Sequence, residues 1–186
     1  SPHDAWYNDK LLKRVIENRI IYVSTVNPNK ILQGFNICKI APKVSVFSAG
    51  RAKLLIHQYL GDARKIFDPF SGFSGRMLGT VAYSDTIQYV GQDISPIHVM
   101  ESNAIIRYFS LQHRAQTTQA NCLVSTGTYD CLFTCPPYGD KEQWLEVPVD
   151  TRSCDDGIDV CLKNFKCRKY LFVVDKTERY GQYVVD

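Results

Sequence analysis

The sequence has no run of about 20 consecutive apolar residues, the length that a helix needs to cross a bilayer, so no membrane span is expected. Its first residues, Ser1 to Tyr7, lack a basic stretch followed by an apolar one and do not read as a secretory signal. Charge of one sign is also scarce. The formal net charge is +3 and the pI is near 8.4, an excess that permits nucleic-acid binding without arguing for it. Any basic surface must therefore be gathered by the fold. Internal repeats and low-complexity tracts are missing. Cysteine is present at positions 38, 122, 131, 135, 154, 161 and 167, but no two form a Cys-x-x-Cys pair and no His pair accompanies them. That spacing argues against a metal site. Reduced thiols in a cytoplasmic protein are the expectation.

What remains is ordinary globular material. Of 186 residues, 45% are hydrophobic and 22% charged, which suits one domain, or one domain with a short appendage. Residues 9 to 22 carry Leu11, Leu12, Val15, Ile16 and Ile20 at helical spacing, with Asp9 as the expected N-cap. Asn27-Pro28-Asn29 reads as a turn, and residues 31 to 46 read as irregular, broken by Gly34 and Pro42. Ser48 suits the cap of a helix over roughly 51 to 60.

From Lys65 the pattern alternates. Residues 65 to 70 form an apolar strand ended by a Gly/Ser-rich turn, and Met77, Leu78, Val81 and Ala82 mark a short helix. Residues 88 to 93 form a second strand. Ser95 and Pro96 then open a helix to about Phe109. A weak third strand is expected at 122 to 124 and a fourth at 129 to 134. A polar loop over 147 to 157 precedes a helix over 158 to 165. A fifth strand over 170 to 175 is apolar enough to be buried on both faces. Strands alternating with helices predict an α/β fold with a mostly parallel sheet flanked by helices.

Three segments at strand ends could carry chemistry. In Asp68-Pro69-Phe70-Ser71-Gly72-Phe73-Ser74-Gly75-Arg76, the glycines let the backbone turn tightly between strand and helix. Asp68 would meet a ligand first, which favours an ammonium group over the phosphate that such turns usually hold. Asp93 ends the next strand, near the ~20-residue spacing that suits a carboxylate on the hydroxyls of a ribose. Ile94 after it suits an adenine face. In Thr134-Cys135-Pro136-Pro137-Tyr138-Gly139, the prolines fix the backbone and leave their carbonyls free to accept hydrogen bonds. Tyr138 offers a flat surface for a base. Ligands of open parallel sheets bind at this carboxyl edge.

Together these segments resemble the S-adenosylmethionine-dependent amino-methyltransferases of DNA, which act on cytosine-N4 or adenine-N6. The resemblance covers most of residues 44 to 186. Phe47 to Lys53 is similar to the additional cofactor motif of that family, and Lys169 to Asp186 to its fifth-strand region. The resemblance implies a Rossmann-like methyltransferase domain over residues 47–186, preceded by a helical and irregular extension over 1–46. It further implies cofactor contacts from Phe47, Arg51, Asp68, Pro69, Phe70, Gly72, Gly75, Asp93, Ile94 and Asn121, and a catalytic loop of Cys135, Pro136, Pro137 and Tyr138. No metal is implied. The family continues past its fifth strand with a terminal hairpin, and this chain is expected to fall short of it.

The implied reaction is direct transfer of a methyl group to an exocyclic amino nitrogen, on a base flipped out of double-stranded DNA. Cysteine is not the nucleophile in that reading, because Cys135 precedes the prolines and has no evident activating His or Lys. Cys135 stands where the family has Ser, Asp or Asn. Its nearness to Ser in size favours cytosine over adenine, although a thiol is a weak hydrogen-bonding group. No large target-recognition insertion is evident, so recognition is assigned to residues 1 to 46, to a missing segment or to a partner subunit, as in a restriction–modification system. An RNA base methyltransferase, a non-catalytic S-adenosylmethionine- or DNA-binding subunit, and an unrelated nucleotide-binding module are the rivals.

Overall fold

The computed structural model describes residues 2–23, 26–40, 46–136 and 154–174. The chain divides into two compact units, Ser1–Ser45 and Val46–Asp186.

The first unit consists of α1 (Pro2–Trp6), α2 (Asp9–Val23) and α3 (Pro28–Ile37). α2 is capped by Asn8 rather than Asp9, since Asn8 Oδ1 accepts the Leu11 amide at 3.1 Å. α3 replaces the turn and irregular segment expected from the sequence. Asn27 Oδ1 accepts the Lys30 amide at 2.9 Å, and Pro28 occupies the first turn, where its missing N–H costs nothing. Gly34 does not break the helix. A Cβ there would stand 2.4 Å from Val15 Cγ1, so glycine lets α3 lie close against α2. Val15, Ile31 and Phe35 are buried between these helices, and Trp6 meets Phe35 edge to face.

The second unit is built on a parallel sheet. Its strands are β1 (Lys65–Asp68), β2 (Gln88–Asp93), β3 (Ala115–Gln119), β4 (Gly127–Thr134) and β5 (Phe165–Phe172), in the spatial order β3-β2-β1-β4-β5. The first three strands run outward on one side and the last two on the other. The strand order therefore reverses between β1 and β4, the place in such sheets where ligands bind at the carboxyl ends of the strands. Every pairing is parallel, with Phe67 opposite Val90 on one side and Leu132 on the other.

Four helices belong to this unit: α4 (Ala49–Tyr59), α5 (Gly75–Tyr83), α6 (Pro96–Tyr108) and α7 (Cys154–Asn164). One face of the sheet buries Ile66, Tyr89, Ala115, Cys131 and Phe133 against Ala52, Ile56, Met77, Val81 and Ile106 of α4, α5 and α6. The other face buries Phe67, Val90, Leu132 and Phe165 with Cys161 of α7. Phe67 stacks on Tyr129 with centroids 3.9 Å apart.

The caps expected at Ser48 and Ser95 are present, accepting the Arg51 and His98 amides at 3.4 Å each. The larger differences from the sequence reading are these. The third strand lies at Ala115–Gln119, whereas 122 to 124 is a turn. Cys154 to Gly157 is helical rather than looped. The fifth strand begins at Phe165, five residues earlier than expected, so α7 runs into β5 with no residue between them. Nor is β5 buried on both faces: after Phe165 its residues are partly or fully exposed, and in the described sheet it is an edge. The expected lack of a terminal hairpin concerns residues outside those described.

Candidate functional site at the carboxyl edge of the sheet

Asp68 ends β1 at the reversal point and is 0% exposed. Its Oδ1 accepts from the Phe70 amide at 3.3 Å, Arg76 Nη2 at 3.3 Å and the Thr134 hydroxyl at 2.6 Å. Its Oδ2 accepts from Arg76 Nε at 2.7 Å and the Tyr89 hydroxyl at 2.9 Å. Burial raises the Tyr89 phenol well above its ordinary pKa, so it stays protonated and donates. Burial opposes the Arg76 charge, but the Asp68 carboxylate outweighs it and holds the guanidinium pKa above its usual value. Both Asp68 oxygens thus face protein donors. The carboxylate, expected to meet a ligand's ammonium group, pairs with a buried arginine.

Arg76 extends the network. Nη2 also donates to the Phe70 carbonyl, and the guanidinium lies 5.4 Å from the Phe47 ring centroid. Phe47 meets Phe133 edge to face at 6.0 Å. The Phe47 backbone touches the turn directly, since a Cβ on Gly75 would come within 1.9 Å of the Phe47 carbonyl oxygen. Only glycine permits that approach. The upstream segment and the glycine turn, joined in the sequence reading by resemblance alone, are thus in contact. Pro69 is buried within the turn, whereas Arg51 is exposed on α4.

Asp93 ends β2 and is 7% exposed. Its Oδ2 accepts the Gly72 amide at 2.7 Å and its Oδ1 the Ser95 amide at 2.9 Å. His98 Nδ1 lies 3.5 Å from Oδ1, and the Phe73 ring sits 4.5 Å from the imidazole. Gly72 adopts φ 52°, and Ser74 follows at φ 64°, an uncommon left-handed conformation for a residue with a side chain. The Ser74 hydroxyl meets that of Ser102 at 2.6 Å, tying the turn to α6. The segment after β3 returns to the same place through the Ala120 amide on the Asp93 carbonyl at 3.0 Å. That brings Asn121 to the edge, where its Oδ1 accepts the Leu123 amide at 2.9 Å. Ile94 is half-buried, and its carbonyl accepts from Gln119 Nε2 at 3.3 Å.

Cys135 is half-buried and Pro136 buried just past the end of β4. A Cβ on Gly157 would stand 2.8 Å from Pro136 Cβ and 3.6 Å from Phe70 Cζ, so α7 presses on both at once. Phe70 of the turn and Pro136 of the loop are therefore brought together. Pro137 and Tyr138 lie outside the described residues. Sequence reasoning missed the parts played by Arg76, Tyr89, Thr134, His98 and Gly157. Arg76 and Thr134 stood inside the motifs, but no local pattern says that both turn toward Asp68.

No family model matches the chain, and no curated protein matches it. Among solved structures, a candidate RNA methyltransferase from Pyrococcus horikoshii superposes with a TM-score of 0.53 at 11% identity, over 72% of this chain and 64% of that one. A candidate methyltransferase from Escherichia coli gives a TM-score of 0.49 at 13% identity, over 69% of this chain and 70% of that one. A Thermoplasma acidophilum protein gives 0.45 at 18% identity over 63% of this chain, which spans 56% of its length. The fold is the Rossmann-like methyltransferase fold. At these identities the likeness is one of fold alone. No helix among the described residues is long and apolar enough to cross a membrane.

Proposed function

We propose that the chain is an S-adenosylmethionine-dependent methyltransferase that modifies an exocyclic amino group of a DNA base, cytosine-N4 ahead of adenine-N6. One observation carries the reading. Asp93 fixes the left-handed Gly72 through a 2.7 Å hydrogen bond at the carboxyl edge of the sheet, beside the point where the strand order reverses.

The residues present fit the cofactor. Gly72 and Gly75 supply a turn that side chains would obstruct or strain, and Asp93 keeps lone pairs beyond the two amides it accepts. Asp93 would hold the ribose hydroxyls, Ile94 and Asn121 would flank the adenine, and the backbone from Phe70 to Gly75 would hold the methionine portion. Asp68 serves this site by shaping the turn. The cofactor, when bound, supplies an electrophilic methyl group on sulfur. The chain's own part is to hold the amino nitrogen. That nitrogen is a poor nucleophile while its lone pair is shared with the ring. The Pro136 carbonyl and its neighbours would accept the amino hydrogens and turn the lone pair toward the methyl group, with Tyr138 stacked on the base. Double-stranded DNA is the proposed partner, and meeting these residues would require the base to leave the duplex. A further recognition segment or partner subunit would supply sequence preference.

An RNA base is the second reading, since the Pyrococcus horikoshii structure that shares this fold is described as a candidate RNA methyltransferase. The test is transfer of a labelled methyl group to unmethylated DNA and to RNA, followed by nucleoside mass spectrometry. Label on the amino nitrogen of cytosine supports the proposal. Label on adenine keeps the mechanism and overturns the reading of Cys135. Label in RNA alone moves the substrate. Cofactor binding without transfer marks a non-catalytic subunit.

A further inference from the structure

Asp68 receives hydrogen bonds from both halves of the candidate site. Arg76 and the Phe70 amide belong to the cofactor turn, and the Thr134 hydroxyl belongs to the strand end that carries Cys135 and Pro136. The Thr134 contact is short, at 2.6 Å, and Thr134 is 0% exposed. It spans the reversal point, where β1 and β4 pair Ile66 with Cys131 and Phe67 with Leu132. Beyond those pairs, this side-chain bond continues the junction to the tip of β4. On its other flank, Thr134 accepts the Val173 amide at 2.9 Å through its carbonyl. The backbone of residue 134 is thus held from β5 and its side chain from β1.

We infer that Thr134 is a positioning residue: its hydrogen bond to Asp68 sets the Cys135–Pro136 segment against the cofactor turn, so that cofactor bound at the turn steadies the Cys135–Pro136 segment. The physical basis is the low solvent access of the bond. A hydroxyl donating to a carboxylate in a dry site is a strong, short link, roughly twice a neutral one. The carboxylate it joins also fixes the Phe70 amide and, through Arg76, the Phe70 carbonyl. A shift of the turn therefore moves the acceptor that Thr134 follows. Apolar contact of Phe70 and Pro136 with α7 at Gly157 keeps the two segments adjacent, but it carries no direction. The hydrogen bond supplies the direction.

The inference rests on the cofactor reading above, and the test separates the two. Hydrogen exchange is followed in the wild type, Thr134→Val and Thr134→Ser, with and without S-adenosylhomocysteine as probe. Valine keeps the shape and removes the hydroxyl, and serine restores it. Ligand is expected to slow exchange at 69–76 in all three proteins. It is expected to slow exchange at 133–135 only in the wild type and Thr134→Ser. In transfer assays, Thr134→Val is expected to keep its cofactor affinity within about threefold and to lose kcat by about ten- to a hundredfold, the scale of a misplaced reacting group. Serine is expected to recover most of that loss. Equal protection of 133–135 in Thr134→Val overturns the inference and leaves the cofactor reading standing. Absence of any ligand protection at 69–76 in the wild type overturns both. If Thr134→Val loses affinity, kcat and melting temperature together and serine recovers none, the residue is structural only.

Discussion

Asp68 and Asp93 occupy equivalent places, each the last residue of a parallel strand at the same edge of the sheet, yet they are used in opposite ways. Asp68 is sealed from solvent and spends its oxygens on Arg76, Tyr89, Thr134 and the Phe70 amide. Asp93 is slightly exposed and is held by two backbone amides with a histidine beside it. One carboxylate is consumed in building the turn. The other is oriented by the turn and keeps acceptor capacity at the rim. The arginine explains the difference. A fully buried guanidinium needs a countercharge, and Asp68 is the carboxylate it reaches. An acidic strand end in such a fold is therefore not evidence of a ligand contact until its donors have been traced.

The comparison can be broken most forcefully at Asp68. Asp68→Asn leaves Arg76, 6% exposed at its side chain, without a countercharge. It is expected to lower the unfolding free energy in urea by about 3–5 kcal/mol. A loss under ~1 kcal/mol would place the pair with solvent-exposed bridges instead. Next in size is Gly75→Ala, whose Cβ would sit 1.9 Å from the Phe47 carbonyl oxygen. A loss of about 1–3 kcal/mol is expected, larger than for Gly72→Ala, which faces only the strain of its φ of 52°. If the two melt alike, the contact between Phe47 and the turn is wrong. Asp93→Asn sharpens the contrast, because its effect should fall on binding. Stability is expected to drop by about 1–2 kcal/mol, while calorimetry should show S-adenosylhomocysteine affinity reduced about tenfold or more, by loss of a charged acceptor. Unchanged affinity would remove Asp93 from the cofactor site.

The smallest effect belongs to a third aspartate with the same chemistry in water. Arg168 and Lys169 hydrogen-bond to Asp62 and hold its pKa near 2, below its ordinary 3.8. Because the folded value is the lower one, the contribution is present above 3.8 and is lost as pH falls toward 2. Asp62→Asn should slightly flatten the acid limb of the melting curve in that window. At neutral pH the melting temperature should barely move, as expected of an exposed pair screened by salt. A large neutral-pH loss would mean that water does not distinguish Asp62 from Asp68.

Local signals carried much of the fold. Ser48, and Ser95 with Pro96, announce their helices by capping chemistry, and the alternation of short strands with helices announces the parallel sheet. Errors arose where tertiary context overrode local pattern. Gly34 reads as a breaker until Val15 is seen against it. β3 is Ala-Gln-Thr-Thr-Gln, an edge strand with little apolar content to betray it. The first half of β5 is interrupted by Lys166, Arg168 and Lys169, so its apolar tail alone was visible. At the site, glycines and acids at strand ends were legible because backbone geometry demands them near particular positions. The commitment of Asp68 to Arg76, Tyr89 and Thr134 was not, since those bonds join residues as far apart as 68 and 134.

One joint limits changes of length. α7 ends at Asn164, whose amide donates to the Cys122 and Leu123 carbonyls at 2.9 and 3.1 Å, and β5 starts at the next residue. Chains usually absorb insertions and deletions in the loops between elements, and this junction has none. One added residue in α7 between Gly157 and Asn164 would rotate the helix by about 100° and swing Gly157 away from Pro136 and Phe70. One added residue in β5 would turn every later side chain to the opposite face. Over residues 157 to 172 a substitution is thus expected to be tolerated more readily than a change of length.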